Sequence, residues 1–229
     1  KDSDPDMLEF SDVDMPDIDI RALARKGGCA YDLVILNLPD LTTLSINRYG
    51  TADFFASLKR ILKPGGVVSV RISGGENYLG SELSLLGASM QRTLESCFKN
   101  TAMKPGEETW LFASDGDDLS MLSNVLRDRF KNVEGSQSLY PEEMIPSLYP
   151  PDRIHFQSRI YQDLIENAPL RVPLNTDEHP AALTFGLLVA MKQAGWKFPV
   201  MGLAGLQFLL KAVLLCPFLV YWLLRVVFR

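Results

Sequence analysis

The chain has 229 residues, of which 47% are hydrophobic and 22% charged, and a formal net charge of −5. That apolar content fills one sizeable core with an appendage and excludes a disordered chain. The acidic balance, without a dense Lys/Arg stripe, argues against a partner recognised through nucleic-acid phosphates.

The acidic opening, Asp2 to Asp19, holds seven Asp and one Glu. Asp2, Asp4 and Asp6 have the spacing of a calcium loop. However, Met7 takes the sixth position, which needs glycine, and Val13 the twelfth, which needs a bidentate Glu. A solvated acidic linker is therefore expected, with no metal site. The opening also lacks the positive charge and apolar run of a signal peptide.

From Tyr31 to Ile72 the sequence predicts one βαβ unit. A strand runs from Asp32 to Leu36, and the polar turn Asn37-Leu38-Pro39-Asp40 follows. Phe54, Phe55, Leu58, Ile61 and Leu62 then recur at helical spacing. This helix is expected to stop at Lys63, because Pro64 disfavours helical geometry in the residue before it. Lys63-Pro64-Gly65-Gly66 leads into a second strand, Val67 to Ile72. Both strands are nearly unbroken runs of Val, Ile and Leu, the pattern of a parallel sheet covered on both faces. Ligands of open α/β sheets sit where strands end, so the turn Asn37 to Asp40 is the expected chemical site.

Beyond Ile72, Ser73-Gly74-Gly75 reads as an exit turn. Leu83, Leu86, Met90, Leu94 and Cys97 line one helix, Thr109 to Ala113 form a strand, and Leu119, Leu122, Leu126 and Phe130 line another helix, capped by Asp117 or Asp118. The Pro-, Ser- and Tyr-rich stretch 132–151 predicts a loop or lid. Helices are expected near 152–167 and 180–194, the second capped by Asp177 in the phrase Asn175-Thr176-Asp177. His155 and His179 have no nucleophile at useful spacing, and Cys29, Cys97 and Cys216 are isolated, as for thiols in a reducing compartment.

From Phe198 to Leu224 the only charged residue is Lys211, and these 27 residues exceed the roughly 30 Å of a bilayer core at about 1.5 Å each. A membrane helix is the first reading. A buried or surface-lying helix is the alternative, given Lys211 and Pro217. Lys192 and Lys197 before the segment, and Arg225 and Arg229 after it, set no orientation. The resulting division is an acidic linker over 1–30, an α/β sheet unit over 31–135, a loop with accessory helices over 136–197, and the apolar helix over 198–229.

The phrases Tyr31-Asp32-Leu33-Val34-Ile35-Leu36-Asn37-Leu38-Pro39-Asp40, Asn47-Arg48-Tyr49-Gly50-Thr51-Ala52-Asp53-Phe54-Phe55 and Leu62-Lys63-Pro64-Gly65-Gly66 resemble the carboxyl-terminal half of the spermidine synthase (polyamine aminopropyltransferase) family. Leu174-Asn175-Thr176-Asp177-Glu178-His179-Pro180 resembles a phrase of its membrane-embedded bacterial members. The resemblance, over roughly 17–195, implies a partial methyltransferase-like (Rossmann-like) α/β sheet with flanking helices beside a carboxyl-terminal membrane helix. It places the soluble domain in the cytoplasm, at a bacterial inner membrane, and leaves room for a homo-oligomer. No glycine-rich turn precedes Tyr31, so the first half of the cofactor fold is expected upstream.

The resemblance also implies a chemistry, aminopropyl transfer from decarboxylated AdoMet to a polyamine. In Asp19-Ile20-Arg21 it implies an Asp that meets the adenine amino group, and Asn37 borders the same cofactor. The family places two Asp three apart on the turn, one as general base and one to hold the amine. Here the second is Asp40 and the first is Asn37, whose amide takes up no proton at neutral pH. Tyr49 and Arg71 complete the expected substrate contacts. Arg71 stands where the synthases usually carry Gln, and either points inward, favouring an anionic ligand, or is a solvent-facing or salt-bridged residue at the strand end. Two alternatives remain. One is an AdoMet-dependent methyltransferase using Asn37-Leu38-Pro39-Asp40 as its nitrogen-binding turn. The other is a non-catalytic nucleoside- or metabolite-binding domain coupled to a transporter-like membrane part.

Overall fold

A computed structural model of the chain describes residues 20–26, 31–75, 78–167 and 172–195. Residues 1–19 of the expected acidic linker, Asp19 among them, lie outside the described residues, as do Cys29, Cys216 and the expected membrane segment 198–229, while residues 20–26 of that linker form a helix. Among the described residues no helix is long and apolar enough to cross a membrane.

The strands are β1 (Tyr31–Leu36), β2 (Leu62–Ser73), β3 (Asn100–Lys104) and β4 (Glu108–Ser114). They form one sheet in the order β1-β2-β4-β3. β1 and β2 are parallel, while β4 runs antiparallel to both β2 and β3. The sheet is therefore mixed, and its parallel part is the predicted βαβ unit. With its flanking helices it is a mixed α/β fold. β3 escaped prediction because its residues are mostly polar and half-buried; only Met103 is buried.

Pleating divides the sheet into two faces. Val34 and Leu36 pair with Val68 and Val70 on one face, and Thr109, Leu111 and Ala113 continue it on β4. Helices α3 (Ala52–Leu58), α4 (Ser81–Glu95), α8 (Pro151–Glu166) and α9 (Ala181–Gln193) share a core with this face, α4 packing on β3 and β4, α8 on β3, and α9 on α4. Phe54, Phe55, Leu58, Met90, Tyr161 and Phe185 fill the core between the layers. The opposite face of β1 is open, with Leu33 52% and Ile35 58% exposed. This corrects the expectation that both strands are covered on both sides. β1 is an edge strand, and the reverse face of its apolar run has no covering layer among the described residues.

Local chemistry shifts several boundaries. The connection from β1 to β2 holds two helices, α2 (Leu44–Asn47) and α3, each capped by a threonine hydroxyl, Thr43 and Thr51. α3 ends at Leu58, and Lys63-Pro64-Gly65-Gly66 belongs to β2. Proline's fixed φ is compatible with extended backbone, and Gly65 at φ +79 absorbs the register shift between β1 and β2. The expected loop over 132–151 instead forms α6 (Ser136–Leu139), a 3₁₀ turn (Glu142–Met144) and α7 (Ile145–Leu148). α5 (Ser123–Lys131) starts after Leu122 without a side-chain cap. Asp117 pairs with Lys99 and Asp118 lies beside Arg129. Asp117 is held below the usual carboxylate range, chiefly by the Lys99 hydrogen bond.

α4 is the central helix of the covering layer. It packs on both α8 and α9. A Cβ built on Gly87 of α4 overlaps the hydroxyl of Tyr161, so glycine is what lets α8 approach. Tyr161 is fully buried and accepts from Gln157 Nε2, which also donates to Thr109 Oγ1 on β4. Burial pushes the Tyr161 phenol well above its usual pKa, so it stays neutral. Gly87→Ala raises helix propensity, yet it is expected to cost about 2 kcal/mol through overpacking. A urea titration showing a raised midpoint would contradict this account of the α4–α8 contact.

Candidate functional site

The parallel pair β1 and β2 ends on a common rim. Leu36 pairs with Val70, so Asn37 and Arg71 come next on their strands. Asn37 is exposed, while Leu38 and Asp40 are half-buried. Two contacts fold the turn back onto β2. The backbone N–H of Ser73 donates to Asp40 Oδ1 at 2.9 Å, and Arg71 Nη1 donates to the Leu38 carbonyl at 2.9 Å. Arg71 Nε in turn donates to Glu108 Oε1 on β4 at 2.7 Å. Asp40 Oδ2 takes no hydrogen bond from the described residues. The rim thus presents an exposed amide and a carboxylate with one uncommitted oxygen, three residues apart.

The structure brings Asn37, Asp40 and Arg71 together, and it holds Tyr49 by a different set of contacts. The Tyr49 ring meets Phe54 edge-on at 5.4 Å between centroids, and the Arg48 guanidinium lies 5.6 Å from its centre. Among the described residues no hydrogen bond, ion pair or ring contact joins Tyr49 to Asp40 or Arg71. A salt-bridged Arg71 is among the expectations, but the sequence does not name its partner, because only the β2–β4 register makes Glu108 its neighbour. The Ser73 N–H carries no side-chain signal at all.

The phrase Asn175-Thr176-Asp177 serves the architecture. Asn175 is fully buried, and its Nδ2 donates to Asn47 Oδ1 at 3.0 Å and to the Gly50 carbonyl at 2.9 Å. Its Oδ1 accepts from the N–H of Ala182 at 3.2 Å, in the first turn of α9. Its backbone N–H donates to Thr93 Oγ1 on α4, and its carbonyl accepts from the N–H of Ala52 at the start of α3. One residue thereby ties four helices, α2, α3, α4 and α9, and it does at α9 what had been expected of Asp177. Asp177 instead accepts from Thr51 at 2.8 Å and from Arg21 at 2.6 Å. Arg21 belongs to α1 (Ile20–Lys26), which packs on α3. The two resembling phrases, 19–21 and 174–180, are therefore joined by an ion pair.

Partial burial would raise the Asp177 pKa. The hydrogen bonds from Arg21 and Thr51, with the charges of Arg21 and Arg48, more than offset it and hold the carboxyl below its usual range. A second carboxylate, Glu82 at the start of α4, pairs with Lys192 of α9 at 2.6 Å. Again burial raises its pKa, and the Lys192 hydrogen bond and charge and a backbone N–H more than offset this. The pair borders a cavity of about 140 Å³ whose walls include Tyr78, Leu83 and Val189. Cys97 is a half-buried thiol whose pKa is raised chiefly by burial. His155 and His179 are exposed, and among the described residues no group of three or more His, Cys, Asp or Glu could hold a metal ion.

Two measurements test the Asn175 and Asp177 contacts. Asn175→Ala leaves several buried groups without partners and is expected to cost about 3 kcal/mol in denaturant unfolding, against near neutrality for an ornamental turn. Asp177 has a depressed folded pKa, so its contribution is present above the unfolded value and is lost as pH falls through the folded one. Asp177→Asn is accordingly expected to flatten the stability profile below about pH 4, with the difference from the parent vanishing in stronger acid.

Compared with known proteins, the sequence matches no family model and no curated protein. Among solved structures, the chain is similar to a probable spermidine synthase from Corynebacterium glutamicum ATCC 13032, with 18% identity and a TM-score of 0.37. The similarity covers 58% of this chain and 50% of that one, so the chain spans about half the length of the protein it matches.

Proposed function

We propose that the rim formed by Asn37 to Asp40 binds a nucleoside sulfonium and an amine, as an aminopropyltransferase-like site altered at its base position. The observation that carries this reading is the half-buried Asp40 carboxylate. One of its oxygens is anchored by the Ser73 N–H and the other is uncommitted, at the carboxyl end of a parallel strand pair. Such a group holds an ammonium in a fixed direction.

In the reaction so assigned, an amine nitrogen attacks the propyl carbon attached to sulfur in decarboxylated AdoMet. The C–S bond breaks, methylthioadenosine leaves, and the new ammonium gives up a proton. Asn37 accepts a hydrogen bond but no proton, so Asp40 is the carboxylate of the turn available to receive it. Asp19, outside the described residues, is assigned to the adenine amino group on the sequence resemblance alone. Tyr49, whose ring Phe54 and Arg48 hold, is assigned to the substrate on the sequence resemblance alone. The resemblance also supports AdoMet as an alternative co-substrate and an inner-membrane setting, in which 198–229 anchors the domain and the domain faces the cytoplasm.

A second reading, binding without turnover, draws on Asn37 itself, since replacement of a base by an amide preserves ligand contacts while removing proton transfer. Calorimetric titration of the full-length protein with decarboxylated AdoMet, AdoMet and methylthioadenosine is expected to show saturable binding of at least one. Binding of none eliminates the site. Asn37→Asp is then expected to raise aminopropyl transfer by at least about 10²-fold, the usual worth of a positioned base. Unchanged turnover with intact binding favours the non-catalytic reading.

A further inference from the structure

Arg71 is a cation beside the assigned site, and its neighbours give it a different task from meeting a ligand. Its guanidinium lies between two fixed acceptors, Glu108 Oε1 on β4 and the Leu38 carbonyl in the turn after β1. The first neutralises its charge. The second lies two residues before Asp40, whose carboxylate is held by the N–H two residues after Arg71. The chain from Leu38 to Asp40 is therefore pinned to β2 at both ends. Between the pins sits Pro39, which has a fixed φ and no N–H of its own. A turn restrained in this way leaves Asp40 Oδ2 and the Asn37 amide little freedom to reorient.

We infer that Arg71 is the positioning residue of the Asn37–Asp40 turn: a strut held by Glu108 that presets the direction of the Asp40 carboxylate. This rests on the turn being the binding site, and it narrows the role expected of Arg71 from substrate contact to support. The planar guanidinium is suited to the task because it offers several donors in one fixed plane, here reaching acceptors on two different elements. A lysine ammonium is a single point charge on a flexible stem and does not bridge them in the same way.

The test separates the strut from the function of the site. In the unliganded full-length protein, hydrogen exchange of the Ser73 amide reports the clasp on Asp40 directly. It is expected to accelerate by about tenfold or more in Arg71→Met, Arg71→Lys and Glu108→Ala, with Arg71→Met/Glu108→Ala no faster than Arg71→Met alone. Unchanged Ser73 exchange in Arg71→Met overturns the inference whether or not any nucleoside binds. The exchanged pair Arg71→Glu/Glu108→Arg is expected to recover thermal stability but not Ser73 protection. Recovery of both reduces the pair to a salt bridge and overturns the positioning role. Methylthioadenosine affinity is expected to fall in parallel in Arg71→Met and Glu108→Ala. A fall in Arg71→Met with a gain in Glu108→Ala identifies Arg71 as a ligand contact and likewise overturns the strut. Absence of methylthioadenosine binding in the parent protein counts against the site assignment and leaves the exchange result standing.

Discussion

The buried amide of Asn175 is the constraint on which the arrangement of the described helices depends. An amide in an apolar interior is costly unless both its donors and its acceptor are used, and here all are used by partners from separate elements. The penalty for leaving it unsatisfied acts as a selection rule, because an approach of α9 that misses Asn47, Gly50 or Ala182 strands a polar group. Around it, the hydroxyl of Ser89 and the guanidinium of Arg92 donate to the carbonyls of Pro173 and Val172, so α4 is laced to the segment that carries Asn175. Thr51 shares in the same junction by capping α3 and donating to Asp177.

The rim is held by the sheet itself, whose parallel pairing sets β1 and β2 with their carboxyl ends side by side. Only then do Leu38, Asp40, Arg71 and Ser73 meet. The rim is built largely from backbone partners, a carbonyl and an N–H, and its geometry follows from sheet register more than from any one side chain. Arg71 and Glu108 extend that dependence to β4, since their contact exists only while Ser73 pairs with Glu108 and Arg71 with Trp110. Arg71 is paired with Glu108 across β2 and β4, and Asp40 is the acidic group of the turn.

The layers are unequal. The face bearing Val34, Leu36, Val68 and Val70 is closed by helices, while Leu33 and Ile35 on the reverse of β1 stand open. The hydrophobicity of β1 is that of a strand with two apolar faces, and among the described residues only one is covered. Parallel pairing with β2 is realised all the same, because pairing is made along the strand edge and is indifferent to what lies above or below it.

Much of the fold was legible in the sequence. The runs Asp32–Leu36 and Val67–Ile72 announced a parallel pair, the spacing of Leu83, Leu86, Met90 and Leu94 a helix, and the apolar patterns near 152–167 and 180–194 two more. These signals are local periodicities, which an element carries whatever it packs against. Where polar groups choose between local and distant partners, the sequence was silent. Asp117, Asp118 and Asp177 all suit helix caps, yet Lys99, Arg129, Thr51 and Arg21 take them in the structure. β3 was invisible because a short, mostly polar edge strand has no periodicity of its own. The candidate turn could be placed from the sequence, since it follows an apolar run, and the residue types Asn37 and Asp40 fixed the chemistry it offers. What tertiary structure alone decided is how that turn is held. The partners of Asp40 and Arg71 lie more than thirty residues away along the chain, and proximity between such groups is created by strand register and helix packing.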